Sequence, residues 1–231
     1  MIVAAALCPA APLLVPALTG AEPVAPDLRS ACLAAAADLA EAGADAVAVL
    51  GAGSQTRRWD RGSGLDLAAF APGPGARRPA GRPGLPYPLG IGGWLLTEAG
   101  YRGDRLLQSV SAQDSAGRCA QAGAALAAAR PRLALLVMAD GSARRSLKAP
   151  GYFDDRSERF DAAVESAIGS GALGWLLSAD RRLAGELMAT GFPALQALAA
   201  AMAGGRLVTQ VRYSGAPFGV GYLVASLRVT G

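Results

Sequence analysis

From Leu133 to Ala139 the stretch RLALLVMA (132–139) is apolar without a break. A run this short and this continuous reads as a β-strand covered on both faces, and only a sheet with helices on each side covers a strand that way. Similar runs occur at IVAAAL (2–7), AVAVLG (46–51) and LLQSVS (106–111), with LDLAAF (65–70) as a further candidate. Helical segments separate them. Pro26 opens one whose stripe is Leu28, Cys32, Ala35 and Leu39, and Gly43 stops it near Ala42. Others are expected over 89–100, 115–129, 158–168, 172–177, 181–188 and 193–202. Two last strands, RLVTQVRY (206–213) and GVGYLVASLRV (219–229), flank SGAP as a hairpin. Strands alternating with helices predict an α/β fold: a largely parallel central sheet, helices on both faces, and an antiparallel C-terminal hairpin.

The 231 residues suit one such domain, and neither an internal repeat nor a domain boundary interrupts 1–231. With 52% hydrophobic and 17% charged residues the composition is globular. The net charge of +4 is carried by one stretch, where Arg57, Arg58, Arg61, Arg77, Arg78 and Arg82 outnumber Asp60 and Asp66. Its core, 71–88, is rich in Gly, Pro and Arg and reads as a flexible surface loop. A nucleic-acid role would call for aromatics interleaved with the cations, and only Trp59 and Phe70 are near, so a solvated basic loop is the expectation. Cys8, Cys32 and Cys119 are widely spaced and odd in number, as expected of free thiols in a cytoplasmic protein. MIVAAALC lacks the basic start and the apolar length of a signal peptide, and no apolar stretch is long enough to span a bilayer.

VAVLGAGSQT places Gly51 and Gly53 after a strand, as in a dinucleotide-binding turn. The third small position is Thr56, and RRWDRGSG does not open a helix whose N-terminus would hold a pyrophosphate. A tight glycine turn is the expectation here.

Several segments together resemble the class III extradiol ring-cleavage dioxygenases of the LigB and Memo-like superfamily. CPAAPLLVPALTG (8–20) is similar to the opening Ser-Pro-His-Pro-Pro segment, and ADAVAVLGAG (44–53) to the strand ending in Ser-Pro-His. MADGSARR (138–145) resembles Ser-Gly-Asp-Leu-Ser-His-Arg, followed by APGYFDDRSERFD (149–161). MATGFPALQAL (188–198) is similar to the Glu-Cys-Gly helix and GVGYLVA (219–225) to the closing Gly-Tyr strand. The resemblance implies Fe(II) held by two histidines and a carboxylate, with a further histidine moving protons. Those positions fall on Ala10, Gly53, Ala189 and Ala143, and the chain contains no histidine. Ring cleavage, a metal and any other cofactor are therefore not expected.

The polar residues near the strand ends are Ser54, Gln55, Arg57 and Arg58 in one loop, and Asp140, Ser142, Arg144, Arg145 and Lys148 in another, with Tyr152 and Tyr222 near. Converging cations would favour a small anionic ligand, carboxylate or phosphate, and a small aromatic ligand is the other expectation. Alternatively, Asp140 pairs with Arg144 or Arg145, Ser142 caps a turn and Tyr152 packs. Three functions follow as expectations. The first is a non-catalytic protein binding a small ligand or a protein partner in the former active-site cleft. The second is a metal-independent enzyme using the remaining Asp, Ser, Arg and Tyr groups, and the third is nucleic-acid binding through the arginine loop. No membrane partner is expected, and by analogy with related families a homo-oligomer is open.

Overall fold

The computed structural model describes residues 1–20, 24–60 and 84–230. The strands are β1 (Ile2–Cys8), β2 (Ala46–Gly53), β3 (Arg57–Trp59), β4 (Asp104–Ser111), β5 (Leu133–Met138), β6 (Arg206–Gly215) and β7 (Tyr222–Thr230). They form a single sheet in the order β3-β4-β2-β5-β1-β7-β6. The four central strands are parallel, while β3 and the β6–β7 hairpin add antiparallel edges. The candidate strand 65–70 and residues 71–83 of the expected loop lie outside the described residues. The last two positions of that loop, Tyr87 and Pro88, open a helix instead.

A short 3₁₀ turn (Pro12–Leu14) leads to α1 (Pro16–Thr19), then α2 (Pro26–Ala40) and α3 (Tyr87–Glu98). After these come α4 (Ala116–Ala127), α5 (Arg156–Gly169), α6 (Gly174–Ser178), α7 (Arg181–Glu186) and α8 (Phe192–Ala201). Proline at the first helical position of α2 loses no hydrogen bond, because that N–H has no partner inside the helix. Asp180 caps α7 by accepting the amides of Arg182 (2.8 Å) and Leu183 (3.2 Å).

The two-residue period of the strands divides the core between the two faces of the sheet. On β5, Leu133, Leu135 and Val137 point to one side and Ala134, Leu136 and Met138 to the other, and all six are buried. α4 to α8 cover the first side, packed through Leu126, Phe160, Leu176, Ala184 and Phe192. α2 and α3 cover the second through Leu28, Cys32, Leu89 and Leu95. Glycine sets how closely the layers approach. A Cβ on Gly92 would stand 2.9 Å from Met138 Cγ, and one on Gly123 would be driven into the backbone of Ala197.

Candidate functional site: a strand-end cavity around Asp140

At the carboxyl ends of β1 and β5 the chain leaves the sheet, and loops from distant parts of the sequence meet there. The amide of Ala139 donates to the Cys8 carbonyl at 2.9 Å and continues the parallel pairing for one residue. The next residue, Asp140, accepts the amide of Ala10 on Oδ1 at 3.0 Å. The loop then crosses to the start of β7, with Gly141 donating to the Gly221 carbonyl and Gly221 to the Ser142 carbonyl, both at 2.8 Å. Gly191 brings the start of α8 against the same peptide, since a Cβ there would lie 2.5 Å from Ala139 Cα.

A cavity of about 300 Å³ opens beneath these loops, bounded by α5, the start of α8 and the ends of β6 and β7. Phe160, Val164, Phe192 and Leu195 give it apolar walls, and Asp140, Asp161, Arg145 and Tyr222 supply polar groups. A largely apolar pocket with a few convergent polar groups is the usual form of a small-molecule site.

Asp140 has no cation within ion-pair distance among the described residues. Burial pushes its carboxyl up to about 7, against the opposing pull of the Ala10 amide. Its neighbours respond in turn. Burial and then the nearby Asp140 raise the Tyr222 phenol to about 12, and the same two causes raise Tyr87. Tyr87, at the start of α3, shares a side-chain hydrogen bond with Thr190. The Cys32 thiol is also pushed up, chiefly by its hydrogen bond with Cys8 and by burial, so it stays a thiol and not a metal-binding thiolate. All three cysteines are free and buried. Among the described residues no group of three metal-ligating side chains comes together.

The structure redistributes the residues singled out in the sequence. Asp140 lines the cavity, as does the Ala189 position, and Ala10 holds Asp140. Ser142 is fully buried but caps no turn: its amide and its hydroxyl both donate to Asp161, at 2.8 and 2.7 Å. Neither Arg144 nor Arg145 pairs with Asp140. Arg144 lies 3.5 Å from Asp154, just before α5, and Arg145 pairs with Asp161 at 3.2 Å and Glu158 at 3.4 Å, because α5 presents those two acids to the loop. Lys148 is exposed, and Tyr152, 75% exposed at a positive φ of 59°, neither packs nor reaches the cavity. Ser54, Gln55 and Arg57 belong to another place altogether. Arg57 opens β3, three strand positions from β5 and so about 14 Å across the sheet, while Ser54 and Gln55 link β2 to β3, and none of the three lines the cavity. There the Gln55 carbonyl accepts from Ser109 Oγ, and Arg57 stacks 4.1 Å above the Trp59 ring. The cations expected to converge on an anion do not meet.

The glycine turn expected at Gly51 and Gly53 is strand instead: both are paired residues at the end of β2, and they serve packing. A Cβ on Gly51 would come within 2.7 Å of Pro88, and one on Gly53 within 2.8 Å of Ser109, and the residues that follow form β3 and no helix.

Asp161 was missed in the sequence, yet it holds the loop. Beside its bonds to Ser142 and Arg145, its carboxylate fills the space left by two glycines: a Cβ on Gly141 would stand 2.8 Å from Oδ1, and one on Gly221 would overlap Oδ2. The signal lay in the periodicity of α5, where Asp161 interrupts the buried stripe of Ser157, Phe160, Val164 and Ile168.

No family model and no curated protein matches the chain. Among solved structures it is similar to the crystal structure of the uncharacterized protein JW3007 from Escherichia coli K12. That match has a TM-score of 0.57 and 14% identity over 98% of this chain and 99% of the other. At that identity the likeness shows a shared fold and nothing about chemistry.

Proposed function

We propose that the chain is a metal-free relative of the extradiol-dioxygenase superfamily, a cytoplasmic protein that binds a small aromatic or apolar molecule in the strand-end cavity. The observation that carries this reading is a half-buried carboxyl, Asp140, held by one backbone amide and lining a cavity of about 300 Å³ with apolar walls at Phe160, Val164, Phe192 and Leu195. A carboxyl in that setting is costly to the fold unless it is neutral or a ligand answers it. The resemblance is supported by the order of its segments and by where three of its replaced positions fall. Ala10 binds Asp140, Ala189 lines the cavity, and Ala143 joins the intervening loop to Leu187 through a 2.9 Å hydrogen bond. Capture of an anion is not part of the proposal, because Arg144 and Arg145 are engaged by acids and Arg57 is at the sheet edge.

A second reading, metal-independent proton transfer by Asp140, is favoured by one observation. Burial holds that carboxyl at about 7, where it gives and takes protons near neutral pH.

The test is a ligand-observed NMR screen of aromatic fragments against the chelator-treated full chain and its Ala162→Trp variant, which places an indole at the cavity rim on α5. Fragments that bind the parent and are lost on the variant are expected. A hit rate unchanged by the variant would mean that the cavity is not the site. Product formation by a hit, abolished by Asp140→Asn, would select the second reading.

A further inference from the structure

The charge of the cavity is opposite to the one the sequence suggests. Among the described residues, four carboxylates line it, from Asp140, Glu158, Asp161 and Glu165, against the single guanidinium of Arg145. That guanidinium is committed to Asp161 and Glu158. Asp161 also holds Ser142, and Glu165 accepts Ser214 Oγ at 2.6 Å. Asp140 differs from these. Its Oδ1 takes the Ala10 amide, its Oδ2 has no hydrogen-bond partner among the described residues, and the residue lines the cavity half-buried. An unpartnered acceptor in the wall of a cavity selects for a donor, and the surrounding acids select for positive charge.

We propose that the cavity takes a small organic cation, a protonated amine on an aromatic or branched apolar body, with its N–H groups on Asp140 Oδ2 and its body against Phe160 and Phe192. This assignment rests on the reading of the cavity as a ligand site. An anion would meet four carboxylates, and a neutral body would leave Asp140 protonated or unanswered.

The titratable groups facing Asp140 are Tyr87 on α3, Tyr222 on β7, and Cys32 on α2 with Cys8 of β1 hydrogen-bonded to it. The two phenols and the Cys32 thiol are pushed up, away from neutrality, so the carboxyl of Asp140 is the member of this group that changes charge near pH 7. Amine affinity therefore rises with pH through neutrality.

The experiment titrates benzylamine, benzyl alcohol and benzoate against the full chain by ligand-observed NMR at about pH 6 and about pH 8. At the higher pH benzylamine is expected to bind roughly tenfold or more tighter than benzyl alcohol, the scale of one charge-assisted hydrogen bond. It should weaken several-fold at the lower pH, and Asp140→Asn should reduce it to the level of the alcohol. Asp140→Ser, with its fold checked by circular dichroism, guards against a local effect of the amide. Benzoate or benzyl alcohol binding as tightly as the amine, or an amine indifferent to both variants, would overturn the cation assignment and leave the ligand site standing. Binding of none of the three would overturn both.

Discussion

Asp140 makes the fold itself pH-dependent. Its carboxyl ordinarily titrates near 3.8, and burial raises it to about 7, so the folded chain holds a proton that the unfolded chain has released. The sign follows: the contribution is full below the ordinary value and is lost as pH rises through about 7, where the fold must carry a buried charge. Asp140→Asn keeps the shape without the ionisation. Relative to wild type it is expected to gain roughly 2 to 3 kcal/mol between about pH 5 and about pH 8.5, measured by urea unfolding at each. An equal difference at both pH values would mean that Asp140 titrates as an ordinary surface acid. Asp140 itself was legible in the sequence, but its surroundings were not. Arg144 and Arg145 are its near neighbours along the chain, and which acid each one meets is decided by the docking of α5 and of Asp154 just before it on the loop. Tyr87 and Glu165 were unreadable for the same reason, since each reaches the site only through the packing of its own helix.

At the scale of elements, apolar periodicity fixed most of the strands and helices, because a strand buried on both faces has no polar alternation to blur it. The exceptions have physical causes. β3 is three polar and aromatic residues at the sheet edge, held by pairing with β4 and by Trp59 Nε1 donating to Ser109 Oγ at 2.8 Å, and nothing in RRW alone reads as a strand. β7 begins at Tyr222, not at 219, because Gly219 has a positive φ of 75° and its amide closes a turn on Ala216. The helix expected from 89 starts at Tyr87, where Pro88 fits the first turn. Close packing of α4 on α8 depends on Gly123, whose missing side chain leaves room for the Ala197 carbonyl. Gly123→Ala should force the helices apart and destabilise the fold by roughly 1 to 3 kcal/mol, despite the better helix propensity of alanine. Thermal unfolding measures this, and an unchanged or raised midpoint would show that the two helices are not held at this distance.

For the molecule as a whole, the fold frame and the chemistry it carries come from different parts of the sequence. The frame is written in buried runs such as LALLVM, whereas the cavity is assembled from residues between Leu7 and Leu223. Along the described chain, no helix is long and apolar enough to cross a membrane. What was legible at this scale was negative: a chain without histidine, with Ala10, Gly53 and Ala189 where the resemblance puts iron ligands. Among the described residues no three potential metal-ligating side chains come together. The measurement that bears most directly on this is elemental analysis of the purified full chain after anaerobic incubation with Fe(II), Mn(II) and Zn(II) and subsequent desalting. Metal content far below one ion per chain is expected, with the fragment binding of the chain unaltered. Retention of one tightly held ion per chain would contradict the metal-free site and return the cavity to metal chemistry.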